Sequence, residues 1–122
     1  MGKAHRLGKK GEDLATEFLK KSGYRILKRN YRCPFGEVDI IAEDGGVLAF
    51  VEVKARSSDS YGSPAEAVDW RKRDRVARVA SHYLQRRGLE GKVPVRFDVV
   101  CLNFSPIGPI VELIKGAFGL EG

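Results

Sequence analysis

One stretch constrains this chain more than any other: Gly36 to Arg56, G-E-V-D-I-I-A-E-D-G-G-V-L-A-F-V-E-V-K-A-R. Apolar β-formers fill Val38 to Ala42 and again Val47 to Val53, and Asp44-Gly45-Gly46 supplies a tight turn between them. The pattern predicts a β-hairpin. Charge does not belong on the buried face of such strands. Yet Asp39 sits inside the first, and Glu52 and Lys54 sit inside the second.

Side chains alternate faces along a strand. Glu37, Asp39 and Ile41 share one face of the first strand. Leu48, Phe50, Glu52, Lys54 and Arg56 share one face of the second. With Gly45-Gly46 as a two-residue turn, Asp39 falls opposite Glu52 and Glu37 opposite Lys54. A turn at Asp44-Gly45 slides the pairing by two residues and keeps both sets on one face. Only a one-residue slip separates them, and it buries the wrong side. Directly opposed Cβ atoms lie roughly 4.5–5.5 Å apart. Two carboxylates that close repel unless something neutralises them. A hard divalent cation takes oxygen ligands, commonly one or two carboxylates plus a substrate phosphate. Lys54, on the same face, is placed to orient a water or steady a phosphate. The plain alternative is a hairpin with its charges turned to water. Against it stands the pairing of a same-face Asp with E-V-K across a glycine turn, inside apolar runs. D-x(n)-E-x-K is the pattern of metal-dependent nucleases with a restriction-endonuclease-like core.

The rest of the chain bounds that reading. Its 122 residues suit a single domain, 1–122, with one modest core. Twenty-two basic residues against 16 acidic give a net charge of +6, a balance that favours a polyanionic partner. Cys33 and Cys101 lack metal-ligand or C-x-x-C spacing and read as reduced thiols. No apolar run approaches the roughly 20 residues of a membrane span, and the first residues lack the apolar stretch of a signal peptide. A cytoplasmic protein is expected. His5 and His82 have no partners that suggest a triad or a metal site.

In chain order, Gly8 to Ser22 has helical periodicity, and Ser22-Gly23 stops it. Glu12 and Glu17 flank its apolar stripe, and periodicity does not choose between them. Tyr24 to Tyr31 reads as a basic strand suited to a sheet edge. Its two tyrosines, set among bases, are alternatively nucleotide-stacking rings. Ser63-Pro64-Ala65-Glu66 has the form of a capping box, so the second helix either runs unbroken to Arg87 or restarts at Asp69. Val68, Lys72, Val76, Val79 and Tyr83 form its stripe. Lys72 either snorkels to water or points along the helix at the carboxylates. The opposite side, with Arg71, Arg73, Arg75, Arg78, Arg86 and Arg87, is either solvated or tracks phosphates. Val95 to Leu102 reads as a strand covered on both faces and parallel to a hairpin strand. Asp98 within it reads as a structural acid paired with a nearby base. Ile110 to Ile114 is a short last strand, followed by a loosely fixed tail.

The resulting order, α-β-β-β-α-β-(β), is α/β with a central mixed sheet flanked by helices. The chain resembles the YraN-like family of small bacterial proteins, itself similar to archaeal Holliday-junction resolvases. The likeness rests on Gly8 to Glu12 (G-K-K-G-E), Asn30-Tyr31-Arg32, Gly36 to Ala42, Phe50 to Arg56, Lys72, Arg96 to Val100 (R-F-D-V-V) and Ala117-Phe118. It implies the restriction-endonuclease-like fold. It also implies Glu12 as a first-helix acid bordering the site, Asp39 and Glu52 as ligands of Mg²⁺ or Mn²⁺, and Lys54 as the assisting lysine. The expected activity is phosphodiester hydrolysis, with Arg56 and Lys72 on phosphate. The expected partner is nucleic acid, DNA before RNA, with a homodimer open. The rival expectations are a non-catalytic nucleic-acid-binding module that keeps the acids as a vestige, and a protein-interaction subunit.

Overall fold

A computed structural model describes the backbone of residues 2–57 and 70–118, and the side chains of 9–55 and 72–117. Seven elements follow one another: α1 (Gly2–Lys21), β1 (Arg25–Cys33), β2 (Gly36–Asp44), β3 (Val47–Ser57), α2 (Trp70–Arg87), β4 (Val95–Ser105) and β5 (Gly108–Phe118). The strands form one sheet in the order β1-β2-β3-β4-β5. All neighbours are antiparallel except β3 and β4, which run parallel with α2 in the crossover between them. This is the restriction-endonuclease-like α/β arrangement that the resemblance implied.

Alternation along β3 sorts its residues to two sides of the sheet. Leu48 and Phe50 join Val38, Ile41, Val76, Val79, Tyr83, Phe97 and Val99 in a core under α2. Ala49 and Val51 join Ala15, Leu19, Tyr24, Ile40, Val100 and Leu102 in a second core under α1. The central strands are therefore apolar on both faces, which explains the near-continuous apolar run of β4. The hairpin turn is Gly45-Gly46, with Asp44 paired to Val47. Both glycines have positive φ, 58° and 90°, as a two-residue hairpin turn requires.

Several sequence expectations need adjusting. Helix α1 begins at Gly2, six residues before the expected start. It ends where expected, with Tyr24 N–H donating to Leu19 O at 2.9 Å and Gly23 N–H to Lys20 O at 3.1 Å. The last strand reaches Phe118, which pairs with Phe97 across an irregularity in the register, so 115–118 belong to the strand rather than to a tail. The basic strand β1 is an edge strand as read. Tyr24, however, is no stacking ring: it is 4% exposed, and its hydroxyl donates to Asp98 Oδ2 at 2.7 Å. The proposed capping box and the question of a break at Asp69 lie outside the described residues. Among those residues, no helix is long and apolar enough to cross a membrane.

Candidate active site

The site arises where the sheet's regularity fails. Asn30 has φ 53°, a left-handed conformation that Asn tolerates better than most residues. Around it the faces switch. Arg29 pairs with Ile40 and bonds Glu12 and Asp13 of α1, whereas Tyr31 pairs with Val38 and both pack under α2. Asp39 lies opposite Asn30, at the switch. The β2–β3 ladder closes at Ile40 and Val51, one pair short of Asp39 and Glu52. Beyond that point the Asp39 side chain stands in for the missing ladder bond. Its Oδ2 accepts the Val53 N–H at 2.8 Å.

Glu52 follows Phe50 on the α2 face of β3 and is 2% exposed. Lys72 of α2 reaches down to it, Nζ to Oε2 at 3.3 Å. Glu52 Oε1 is buried and has no hydrogen-bond partner among the described residues. Burial raises the Glu52 carboxyl to about 8, with the facing Asp39 carboxylate adding to the shift and Lys72 opposing it. Burial also lowers the Lys54 ammonium, and the neighbouring Lys72 lowers it further. Lys72 loses something to burial too, but the Glu52 carboxylate outweighs this and holds it protonated. Two acids and two amines thus share one partly dry pocket.

That pocket is the floor of a cleft of about 630 Å³. Arg32, Phe35, Asp39, Glu52, Lys72 and Arg75 are among its walls. An added Cβ at Gly36 would come within 2.8 Å of the Arg75 Cγ and Cδ atoms, so glycine there is what lets the Arg75 stem lie against the β1–β2 turn.

Of the residues singled out in the sequence, Asp39, Glu52, Lys54 and Lys72 come together. Lys72 takes the second of its two open readings and points at the carboxylates. Glu12 is held elsewhere: its carboxylate takes Arg29 Nη2 at 2.9 Å and Asn30 Nδ2 at 2.9 Å. It thereby touches the residue opposite Asp39 rather than the dyad. Among the described residues, no three His, Cys, Asp or Glu side chains stand close enough to hold a metal together. The Arg56 side chain lies outside the described residues. Sequence reading missed Phe35 as a wall of the cleft and set Arg75 in a basic helix face that is either solvated or tracks phosphates, without placing it at the carboxylates. The signal for Arg75 was Gly36, read only as the start of a strand.

Asp98 is the structural acid expected from sequence. It is fully buried and bonds Arg96 Nε at 2.8 Å, Tyr24 and the Gly116 N–H. Arg96 also reaches Asp44 at 2.8 Å. These bonds fasten the turn end of the sheet.

Residues 11–102 match the family described as "Uncharacterised protein family UPF0102". A UPF0102 protein of Syntrophus aciditrophicus is 50% identical over 115 residues, covering 94% of this chain and 90% of that one. A UPF0102 protein of Symbiobacterium thermophilum is 53% identical over 116 residues, covering 94% and 98%. Among solved structures, Pyrococcus furiosus SfsA in complex with Ca²⁺ aligns at a TM-score of 0.37 and 19% identity. That alignment covers 91% of this chain and 62% of SfsA, so this chain spans less than two thirds of that protein.

Proposed function

The chain belongs to the UPF0102 family, and we propose that it is a metal-dependent nuclease that hydrolyses phosphodiester bonds, with DNA as its substrate. One observation carries the proposal. Glu52 is a buried carboxylate with an unpartnered oxygen, and it faces a second carboxylate at the floor of a cleft walled by arginine. A buried, unsatisfied carboxylate oxygen is costly. Proteins keep such groups where a ligand completes them.

The donor set fits a hard divalent cation. Asp39 and Glu52 offer oxygen only, on adjacent strands, and the pull of burial toward the neutral form of Glu52 is what a bound cation reverses. Mg²⁺ or Mn²⁺ held by Asp39 and Glu52 would supply Lewis acidity toward the scissile phosphate. The chain's own residues do the rest. The Val53 N–H holds the Asp39 carboxylate in place. Lys54, its ammonium weakened by burial and by Lys72, accepts a proton from the attacking water. The new P–O bond forms as the bond to the leaving sugar oxygen breaks, and that oxygen takes a proton from solvent. Lys72 stays charged beside Glu52, where it offsets the negative charge that builds on phosphate. Arg75, and Arg56 from β3, bind flanking phosphates.

A second reading has one observation in its favour. Lys72 already gives Glu52 an internal counter-charge, so the fold tolerates its acids without metal. On that reading the chain is a nucleic-acid-binding module with a vestigial site. A cleavage panel decides between the two: linear duplex, single-stranded and branched DNA, each with Mg²⁺, Mn²⁺ or EDTA. Metal-dependent products that vanish in Glu52→Gln support the nuclease. Binding indifferent to metal, with no product from any substrate, supports the module.

A further inference from the structure

The cleft over the dyad extends beyond its carboxylates. Its outer wall is the Pro34-Phe35 turn between β1 and β2. Phe35 is 50% exposed, the only aromatic side chain among the large hydrophobics left open in the described residues. Its ring is nonetheless supported. It meets the His82 ring at 67°, with centroids 6.0 Å apart. His82 Nδ1 is held in turn by the Tyr31 hydroxyl at 2.8 Å, and Tyr31 packs edge-on against the core ring of Tyr83 at 5.2 Å. Past the turn lies a second hollow of about 470 Å³. It shares Arg32, Cys33 and Pro34 with the first and is lined by Lys28, Arg86 and Arg87. Arg75 in the first hollow, and Lys28 and Arg86 in the second, form no ion pair with another described residue.

We infer that this double groove takes an unpaired stretch of DNA, with one nucleobase stacked on Phe35 and its flanking phosphates on Arg75 on one side and on Lys28 and Arg86 on the other. The inference rests on the nuclease reading above and names the substrate class of that site. A supported aromatic ring with Arg75 on the wall of one hollow and Lys28, Arg86 and Arg87 lining the next is what a single strand needs, because every base has a face to stack and every linkage a charge to neutralise. A duplex keeps its base faces inside the helix and offers only phosphates and groove edges. It leaves such a ring without a partner. A second copy of this chain is a poorer occupant: at +6 it would bring the same arginines against these.

The test uses oligonucleotides carrying 2-aminopurine, with EDTA present so that binding is read without cleavage. The arms are a single strand, a duplex of the same sequence, and a three-way junction with unpaired bases at the branch. Wild-type protein binds the single strand or the junction and quenches 2-aminopurine as its base stacks. Phe35→Ala weakens that binding about tenfold or more and restores the emission, while duplex affinity stays within about twofold. Phe35→Tyr keeps both binding and quench. Phe35 is exposed, so the substitution leaves the core untouched. Tighter binding of the junction than of the single strand, lost in Phe35→Ala, puts the unpaired base at a branch; the reverse preference puts it in a free strand. The inference is overturned if Phe35→Ala binds the single strand as wild type does, if it weakens all three ligands equally, or if it turns a dimer into a monomer at unchanged affinity. Those results leave the nuclease reading standing. Binding of no oligonucleotide by the wild type, either in EDTA or with Ca²⁺ in its place, removes both.

Discussion

Lys72 Nζ sits 3.3 Å from Glu52 Oε2, so the crossover helix is tied by charge to the central strand of the sheet. The bond joins two parts that the chain separates by 20 residues. It also gives the most buried acid of the cleft a cationic partner. Replacing Lys72 by Met keeps the stem and removes the charge. Above about pH 8, where Glu52 ionises, the variant is expected to lose roughly 1–3 kcal/mol, less than for a fully buried pair because Lys72 is partly exposed. Below that pH Glu52 is protonated and the loss shrinks. Urea melts at about pH 6 and about pH 9 check this. Adding Glu52→Gln to Lys72→Met recovers most of the loss, and equal losses at both pH values would sink the assignment.

The pH dependence of the metal-free protein follows from Glu52 itself. Its carboxyl is raised from 4.5 in the unfolded chain to about 8 in the fold. Between those values the folded state binds the extra proton, so stability falls as pH rises. The contribution is complete below 4.5 and gone once pH passes about 8. The difference in melting temperature between wild type and Glu52→Gln should therefore swing against the wild type across that window. Mg²⁺ should reverse the swing, since a cation favours the ionised carboxylate. A difference that stays flat with pH would mean that Glu52 is ionised throughout.

Much of this was legible in the chain, because the hairpin carries its own register. A two-residue turn at either Gly45-Gly46 or Asp44-Gly45 keeps Asp39, Glu52 and Lys54 on one side by alternation. The way the site is built was not legible. Register alone implies a ladder running straight through Asp39 and Glu52, and the ladder stops one pair short. It stops beside the left-handed Asn30 of the neighbouring strand, a tertiary relationship that no local pattern in β2 encodes. Lys72 was ambiguous for a similar reason. A lysine in an apolar stripe has two sensible destinations, and only the packing of α2 over β3 chooses. Phe35 escaped notice because an aromatic in a Pro-x turn looks like part of the core until the sheet shows that nothing covers it.

The acid at the other end of the sheet provides a contrast. Asp98 is as buried as Glu52, yet its oxygens are satisfied by Arg96, Tyr24 and the Gly116 N–H. Burial, and then the bond to Asp98, raises the Tyr24 hydroxyl, and the bonds to Asp98 and Asp44 raise the Arg96 guanidinium, each above its ordinary range. Asp98→Ala leaves the buried Tyr24 phenol and the Gly116 N–H without their acceptor and leaves the half-buried Arg96 guanidinium to Asp44. A loss of about 3–5 kcal/mol is expected, with kcat unchanged in whatever fraction stays folded. Denaturation and active-site titration on the same preparation check both halves. A stable Asp98→Ala protein with impaired turnover would move this acid into the chemistry.

Asp39 has two jobs, and two substitutions separate them. One oxygen accepts the Val53 N–H and so pins β3 where the ladder has ended. The carboxylate as a whole supplies negative charge to the cleft beside Glu52. Asp39→Asn retains an oxygen for the Val53 N–H and removes the charge. The metal-free variant should be as stable as wild type or slightly more so, because the repulsion with Glu52 is gone. Its melting temperature should no longer rise with Mg²⁺ or Mn²⁺, and cleavage should disappear. Asp39→Ala removes the acceptor as well and leaves a backbone N–H unpaired at the edge of the cleft. It should cost a further 1–2 kcal/mol or so in the absence of metal. Lys54→Ala gives the third signature: the metal-dependent shift in melting temperature survives while turnover is lost. Thermal scans of the four proteins with and without metal, beside a cleavage assay, separate these outcomes. A wild-type metal response in Asp39→Asn would mean that the cation binds elsewhere, and the chemistry assigned to Asp39 and Glu52 would go with it.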